Sequence, residues 1–256
     1  MLTNPSFPER LRGGSPVLTA WCGLPEPAVS GLLAREAFDA VVVDMQHGAI
    51  DFSAALQAVP LIAAAGKPAL VRIPVGDFAA TSRLLDAGVS GVIAPMINTI
   101  EDARRFASFT KFPPVGERSW GPHGALSLSG LRAEEYFQKA NGLTVSFAMV
   151  ETRESLNIID DILAIPGIDG IFIGPSDLSI ALSQGREQNP ASAEVEEALD
   201  YALSRVTAAG RIAGVYAASG TRAAELVRKG FHMVSIGNDT AMLKAGAQAA
   251  LAAARG

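Results

Sequence analysis

Two acids stand where apolar runs end. Glu151 follows Val145-Ser146-Phe147-Ala148-Met149-Val150, and Asp177 follows Ile171-Phe172-Ile173 by way of Gly174-Pro175-Ser176. They are 26 positions apart by number, roughly one strand–helix–strand unit. Adjacent parallel strands would bring both carboxylates to one mouth of a sheet. No lysine accompanies them, so a hard divalent cation is the expected counter-charge. The absence of a histidine pair argues against zinc. Either acid alone could instead be a helix N-terminal acid held by the dipole. His47, three residues after Asp44, is a candidate base whose tautomer that carboxylate would fix. Arg72 ends the run Ala69-Leu70-Val71, where a cation is costly without an anion. The anion is either a substrate oxygen or Asp44 in a plain salt bridge. Gly174, Pro175, Ser176 and Asp177 lead from strand to helix, where free N–H groups bind carboxylates. The bland alternative is a capping turn with Ser176 as N-cap. None of Lys67, Lys111, Lys139, Lys229 and Lys244 ends a predicted strand, which counts against Schiff-base chemistry.

Eight short β runs can place these groups: Val17–Thr19, Ala40–Val43, Ala69–Ile73, Gly91–Ala94, Leu143–Val150, Gly170–Ile173, Ile212–Tyr216 and Met233–Ile236. Most are continuously apolar, as strands buried on both faces are. Helical patterns separate them at Pro27–Phe38, Phe52–Ala65, Ala79–Ala87, Glu101–Thr110, Arg153–Ala164, Ala193–Ala209 and Thr221–Lys229. Several end in glycine just before the next strand. The alternation predicts an α/β fold, a (β/α)8 TIM barrel in a single domain over 1–256, with 1–15 as a flexible N-terminal segment. A doubly wound sheet is the runner-up, weakened by the lack of a Gly-x-Gly-x-x-Gly turn. In a barrel, the residues past each strand's C-terminal end share the active face. That face would hold Trp21, Asp44, His47, Arg72, Glu151, Ser176 and Asp177. Residues 111–130, with His123, and residues 183–192 are candidate lid or rim loops, or else solvated or interface loops. Trp21, His123 and Val215 are candidate rim residues. The alanine-rich tail from Ala241 to Gly256 is expected to pack closely or to swap onto a neighbour.

Hydrophobic residues are 49 % of the chain and charged ones 18 %, which supports a large core and argues against disorder. A net charge of −5 without a basic block argues against nucleic-acid or anionic-membrane partners. The single cysteine, Cys22, fits a reducing compartment. The N-terminus has no apolar signal core, and no apolar run would span a bilayer. The expectation is a cytoplasmic protein.

Together the residues resemble the metal-dependent 4-hydroxy-2-oxoacid aldolases, also called 2,4-dihydroxyhept-2-ene-1,7-dioic acid aldolases. The matching pieces are Val43-Asp44-Met45-Gln46-His47-Gly48, Val71-Arg72-Ile73-Pro74, Leu84-Leu85-Asp86-Ala87-Gly88 and Ala94-Pro95-Met96. Pro113-Pro114-Val115-Gly116-Glu117-Arg118, Val150-Glu151-Thr152-Arg153 and Ile173-Gly174-Pro175-Ser176-Asp177-Leu178 follow in order. The resemblance implies a class II pyruvate aldolase, often a hexamer with a swapped last helix. It implies Mg2+, Mn2+ or Co2+ held at Glu151 and Asp177, His47 as proton acceptor, and Arg72 stabilising the enolate. Ser176 and the Asp177 backbone would hold the carboxylate of pyruvate or hydroxypyruvate. Asp86 matches an acid that raises the histidine's basicity. Since Asp86 ends a helix, at the wrong end of its own barrel, it would reach only a neighbour's His47. Two departures stand out: Gln46, where the family commonly has Glu, and Met149, where it commonly has a Gln whose amide contacts substrate or a metal-bound water. The alternatives are a coenzyme A ester lyase of the same superfamily and a non-catalytic 2-oxoacid-binding barrel.

Overall fold

Eight parallel strands close in chain order in the computed structural model, which describes residues 6–256. The chain runs α1 (Phe7–Arg12), β1 (Val17–Cys22), α2 (Pro27–Leu33), β2 (Ala40–Asp44), α3 (Phe52–Ala64), β3 (Ala69–Arg72), α4 (Phe78–Asp86), β4 (Gly91–Ala94) and α5 (Ile100–Thr110). It continues through α6 (His123–Ser129), α7 (Ala133–Leu143), β5 (Val145–Val150), α8 (Arg153–Asn157), α9 (Ile159–Ala164), β6 (Gly170–Ile173) and α10 (Pro175–Leu182). The last elements are α11 (Ala193–Ala208), β7 (Ile212–Ala217), α12 (Gly220–Lys229), β8 (Met233–Ile236) and α13 (Asp239–Arg255). The expected barrel is present, with strand ends moved by a few residues. Leu143 belongs to α7 rather than to a strand, and the helix expected over Arg153–Ala164 breaks at Ile158 into α8 and α9.

The continuous apolar runs have two destinations. One alternating set, including Val17, Trp21, Val42, Leu70, Ile93, Phe147, Met149 and Phe172, fills the barrel interior. The other set, including Val41, Val43, Val71, Val92, Ala148, Ile171 and Val215, packs under the surrounding helices. Strands covered on both sides need no polar face. The period of two carries the inward set onto the acids and cation at the strand ends: Val42 to Asp44, Leu70 to Arg72, Met149 to Glu151. In register, Asp44 lies beside Arg72 and Met149 beside Phe172.

Four expectations need correction. The segment 1–15 is not a flexible lead-in over its described part, residues 6–15; residues 1–5 lie outside the described residues. Ser6 and Glu9 form a capping box that starts α1. Its Phe7 and Leu11, one turn apart, are buried with the barrel interior. Arg10 pairs with Asp39 at 2.6 Å and Arg12 with Asp169 at 3.1 Å. The connection 111–130 is not a lid. It joins α5 to α7, which leads to the start of β5, so it lies at the floor of the barrel. There Lys111 Nζ donates to the Thr144 carbonyl at 3.0 Å and to Asp169 at 2.7 Å. His123 begins α6 on that side and is no rim residue of its own mouth. Val215 is fully buried in the layer beneath the helices, so it does not line the rim either. The α10–α11 connection, 183–192, does reach the mouth. Among the described residues, no helix is long and apolar enough to cross a membrane.

Candidate active site

A cavity of about 300 Å³ opens at the C-terminal ends of the strands. Its base is an arginine held by an acid. Arg72, from β3, donates through Nε and Nη2 to the two carboxylate oxygens of Asp44, from β2, at 2.9 and 2.6 Å. Trp21 Nε1 donates to the same carboxylate at 3.1 Å, and the guanidinium lies 4.9 Å from the Trp21 ring centroid. Burial alone would raise the Asp44 carboxyl. The hydrogen bonds and charge of Arg72, with help from the Gln46 N–H and Trp21, outweigh it and hold the group below its ordinary value. The salt bridge left open as an alternative for Arg72 is therefore present. Asp44 does not orient the His47 ring, as the three-residue spacing had suggested. Its Oδ1 accepts the backbone N–H groups of Gln46 at 3.0 Å and His47 at 3.4 Å. Inward strand parity points the carboxylate down at Arg72, while the chain turns over it and leaves His47 exposed on the loop.

That loop is held against its neighbour. A Cβ on Gly48 would stand 2.2 Å from the Asp44 carbonyl oxygen and 2.8 Å from Gly23 Cα, so only glycine fits. Ala49 N donates to the Gly23 carbonyl at 2.8 Å. Asp239, the buried first residue of α13, accepts from the N–H groups of Gly23 and Leu24 at 2.9 and 2.8 Å. Asn238, Asp239 and Thr240 thereby join the cavity wall.

Glu151 lies just beyond β5 and is 1 % exposed. Thr152 caps α8, so Glu151 is not itself a capping acid. Its Oε1 accepts the Met96 N–H at 2.7 Å. Met96 sits at φ 54°, a left-handed conformation uncommon for such a side chain and frequent at functional sites. Glu151 Oε2 is buried without a hydrogen-bond partner. Burial, aided by the nearby charge of Asp177 and opposed by the Met96 N–H and Arg72, pushes the carboxyl up to about 7. A buried acceptor without a donor, repelled by a second acid, fits a cation. Gly174 keeps the space open, because a Cβ there would come within 2.7 Å of Glu151 Oε2. Gly174, not Ser176, is the N-cap of α10, which places Pro175 and Ser176 in its first turn with Asp177. Among the described residues no cluster of three His, Cys, Asp or Glu could hold a metal. The two carboxylates would make an open site with room for substrate.

Trp21, Asp44, His47, Arg72, Met149, Gly174, Pro175, Ser176 and Asp177 all line this one cavity. Asp86 does not. It ends α4 on the floor side and pairs with Arg118 at 2.6 Å. Sequence reasoning misses the aromatic wall residues Phe172 and Tyr216, and also Gly23, Gly48 and Thr240. Trp21 packs on both aromatic rings, at 5.6 and 5.4 Å between ring centroids. The signal was parity: Ile212, Gly214 and Tyr216 share one face of β7, and Val215 faces the other way.

The family model described as HpcH/HpaI aldolase/citrate lyase matches residues 18–245. The chain is similar to the hydroxypyruvate/pyruvate aldolase of Rhizorhabdus wittichii, 40 % identical over 94 % of this chain and 95 % of that protein. It is also similar to the 4-hydroxy-2-oxo-heptane-1,7-dioate aldolase of Salmonella dublin, 32 % identical over 95 % of this chain and 92 % of the other. Among solved structures, an HpcH/HpaI aldolase from Desulfitobacterium hafniense superposes with a TM-score of 0.89 at 26 % identity, covering 98 % of this chain and 97 % of that one.

Proposed function

Because the chain belongs to the HpcH/HpaI aldolase/citrate lyase family and is a carbon–carbon lyase of the aldolase type, we propose that this cavity cleaves and forms 4-hydroxy-2-oxoacids, with pyruvate or hydroxypyruvate and an aldehyde as the other side of the reaction. Glu151 and Asp177 would hold the divalent metal that the family uses (Mg2+, Mn2+ or Co2+), which when bound withdraws electron density from a substrate carbonyl. The observation that carries this reading is Glu151 Oε2, buried and without a donor, and repelled by the charge of Asp177.

The chain's own groups do the rest. Arg72 has Nε and Nη2 committed to Asp44, so the guanidinium is fixed before substrate arrives. Nη1 remains to donate to the oxygen on which negative charge develops as the C–C bond breaks. Ser176 Oγ and the Asp177 N–H, at the start of α10, hold the carboxylate. His47 takes the proton of the 4-hydroxyl and returns it in the condensation direction. Trp21, Phe172 and Met149 give the reacting carbons an apolar wall that excludes water. Met149 offers no hydrogen bond there, and Gln46 no charge, so preferences for donor and acceptor differ from relatives with polar groups at those places.

No hydrogen bond among the described residues reaches the His47 ring, and Asp86 stands at the opposite end of the barrel. We place Asp86 of a second copy beside His47, in a homo-oligomer with shared sites, such as a hexamer. Helix α13 supports assembly: only Asp239 is buried in it, and Leu243 and Leu251 are 67 % and 52 % exposed. An open groove lined by Leu18, Ala223, Val227 and Ile236 lies where an eighth barrel helix would pack. Among the described residues, Arg72, tied to Asp44, is the only lysine or arginine lining this cavity, which disfavours the ester-lyase reading.

The test is condensation of pyruvate or hydroxypyruvate with simple aldehydes, before and after chelation and in Glu151→Ala. Loss of activity in both is expected. Full activity in either would remove the metal role, and borohydride trapping of an adduct would assign the chemistry to a lysine.

A further inference from the structure

The connection 183–192 is built to deliver one side chain to the mouth. It turns through Gln184 at φ 56° and Gly185 at φ 77°. Ser183 closes the turn on itself, its Oγ donating to the Glu187 carbonyl at 3.0 Å and accepting the Glu187 N–H at 3.2 Å. Ser179, 3 % exposed on α10, then pins the far arm. Its Oγ donates to the Ser176 carbonyl at 2.7 Å and accepts the Asn189 N–H at 3.1 Å. Between these two anchors stands Gln188, whose Nε2 donates to Ser176 Oγ at 3.2 Å. Nothing in the fold needs this bond. Gln188 is exposed, and both arms of the connection are secured by serines without it.

The bond does decide where the Ser176 proton goes. A hydroxyl that accepts from an amide turns its own hydrogen elsewhere and becomes a better donor. Ser176 lines the cavity, so its hydrogen is free for an anionic group inside. We propose that Gln188 is a positioning residue for the 2-oxoacid: it orients and polarises the Ser176 hydroxyl toward the substrate carboxylate. This rests on the reading of Ser176 as a carboxylate holder. Gln188 touches no substrate itself, so it sets how tightly the oxoacid is held and leaves the bond-breaking step alone.

The experiment is a double-mutant cycle on the metal-loaded enzyme with Gln188→Ala, Ser176→Ala and the pair. It measures KM for pyruvate and kcat at saturating aldehyde, with thermal melting as a folding control. Gln188→Ala is expected to raise the pyruvate KM by about fivefold, the size of one modest hydrogen bond, with kcat and melting unchanged. In the Ser176→Ala background the same substitution should do nothing further. If Ser176→Ala raises KM and Gln188→Ala does not, the role of Gln188 is overturned while that of Ser176 stands. An equal effect of Gln188→Ala in both backgrounds overturns it too, since Gln188 would then act independently of the hydroxyl. An unchanged KM in Ser176→Ala removes the carboxylate reading itself and this inference with it.

Discussion

Asp44 shows how a residue's type and its two candidate partners, His47 and Arg72, can be legible while the choice between them is not. Aspartate three before histidine suggested an acid–base pair, yet side-chain direction is set by the pleat. The strand points Asp44 inward to Arg72, and the loop carries His47 away. Asp44 and Arg72 form a buried pair, with side chains 5 % and 10 % exposed. Removing the acid leaves a buried cation unpaired. Asp44→Ala should cost about 3 kcal/mol in urea unfolding, with kcat falling as Arg72 loses its orientation; an unchanged midpoint would show that Arg72 finds another partner. Glu151 gives a pH prediction for the metal-free protein. Its carboxyl is raised from an ordinary 4.5 to about 7, so between these values the folded chain keeps a proton that the unfolded chain has lost. The contribution to stability is present at low pH and is lost as pH rises through about 7. Melting temperature should therefore fall across that window in wild type and stay flat in Glu151→Gln. Metal affinity should rise over the same window, because binding must displace the proton. The burial behind this shift could not be read from the sequence, which showed only an acid at a strand end.

At the scale of elements, strands, glycine-terminated helices and their order were legible because each has its own periodicity and punctuation. The side of the barrel on which a long connection falls is only partly legible. Residues 111–130 follow α5 and belong to the floor; residues 183–192 also follow a helix, α10, yet reach the mouth where Gln188 bonds Ser176. Helix α1 escaped notice because six residues are too few to show a period; Ser6, Glu9 and the Phe7–Leu11 spacing were the available signals. The β6–α10 turn yields a prediction of its own. Gly174 lies at φ −99°, ψ 92°, which any residue can adopt, so alanine there strains no backbone and meets Glu151 Oε2 at 2.7 Å and the flexible end of Met149, its Cε, at 3.1 Å. Gly174→Ala should fold and melt near wild type while binding Mn2+ at least about tenfold more weakly, as read by titration calorimetry. Wild-type affinity in that variant would mean that Glu151 Oε2 does not face the ion.

Among the described residues the barrel is complete in its core, while the His47 ring has no hydrogen-bond partner and α13 has only Asp239 buried. A sequence can mark an acid such as Asp86 as out of place, but a surface has no period that names its mate. If the site is shared, His47→Ala and Asp86→Ala chains, each inactive alone, should regain activity when mixed and reassembled, because some interfaces then combine an intact His47 with an intact Asp86. No recovery would confine the site to one chain. The clamp made by Asp239 carries this further. The carboxylate that pins Gly23 and Leu24 beside the reacting groups is also the root of the uncovered helix. If a second copy captures α13, it bears on the cavity wall through Asp239, and a ligand in the cavity bears on the association. Thermodynamic linkage makes the exchange symmetrical: by whatever factor association tightens the hold on a 2-oxoacid, the 2-oxoacid tightens association. In such an assembly, the response to dilution would be a readout of occupancy.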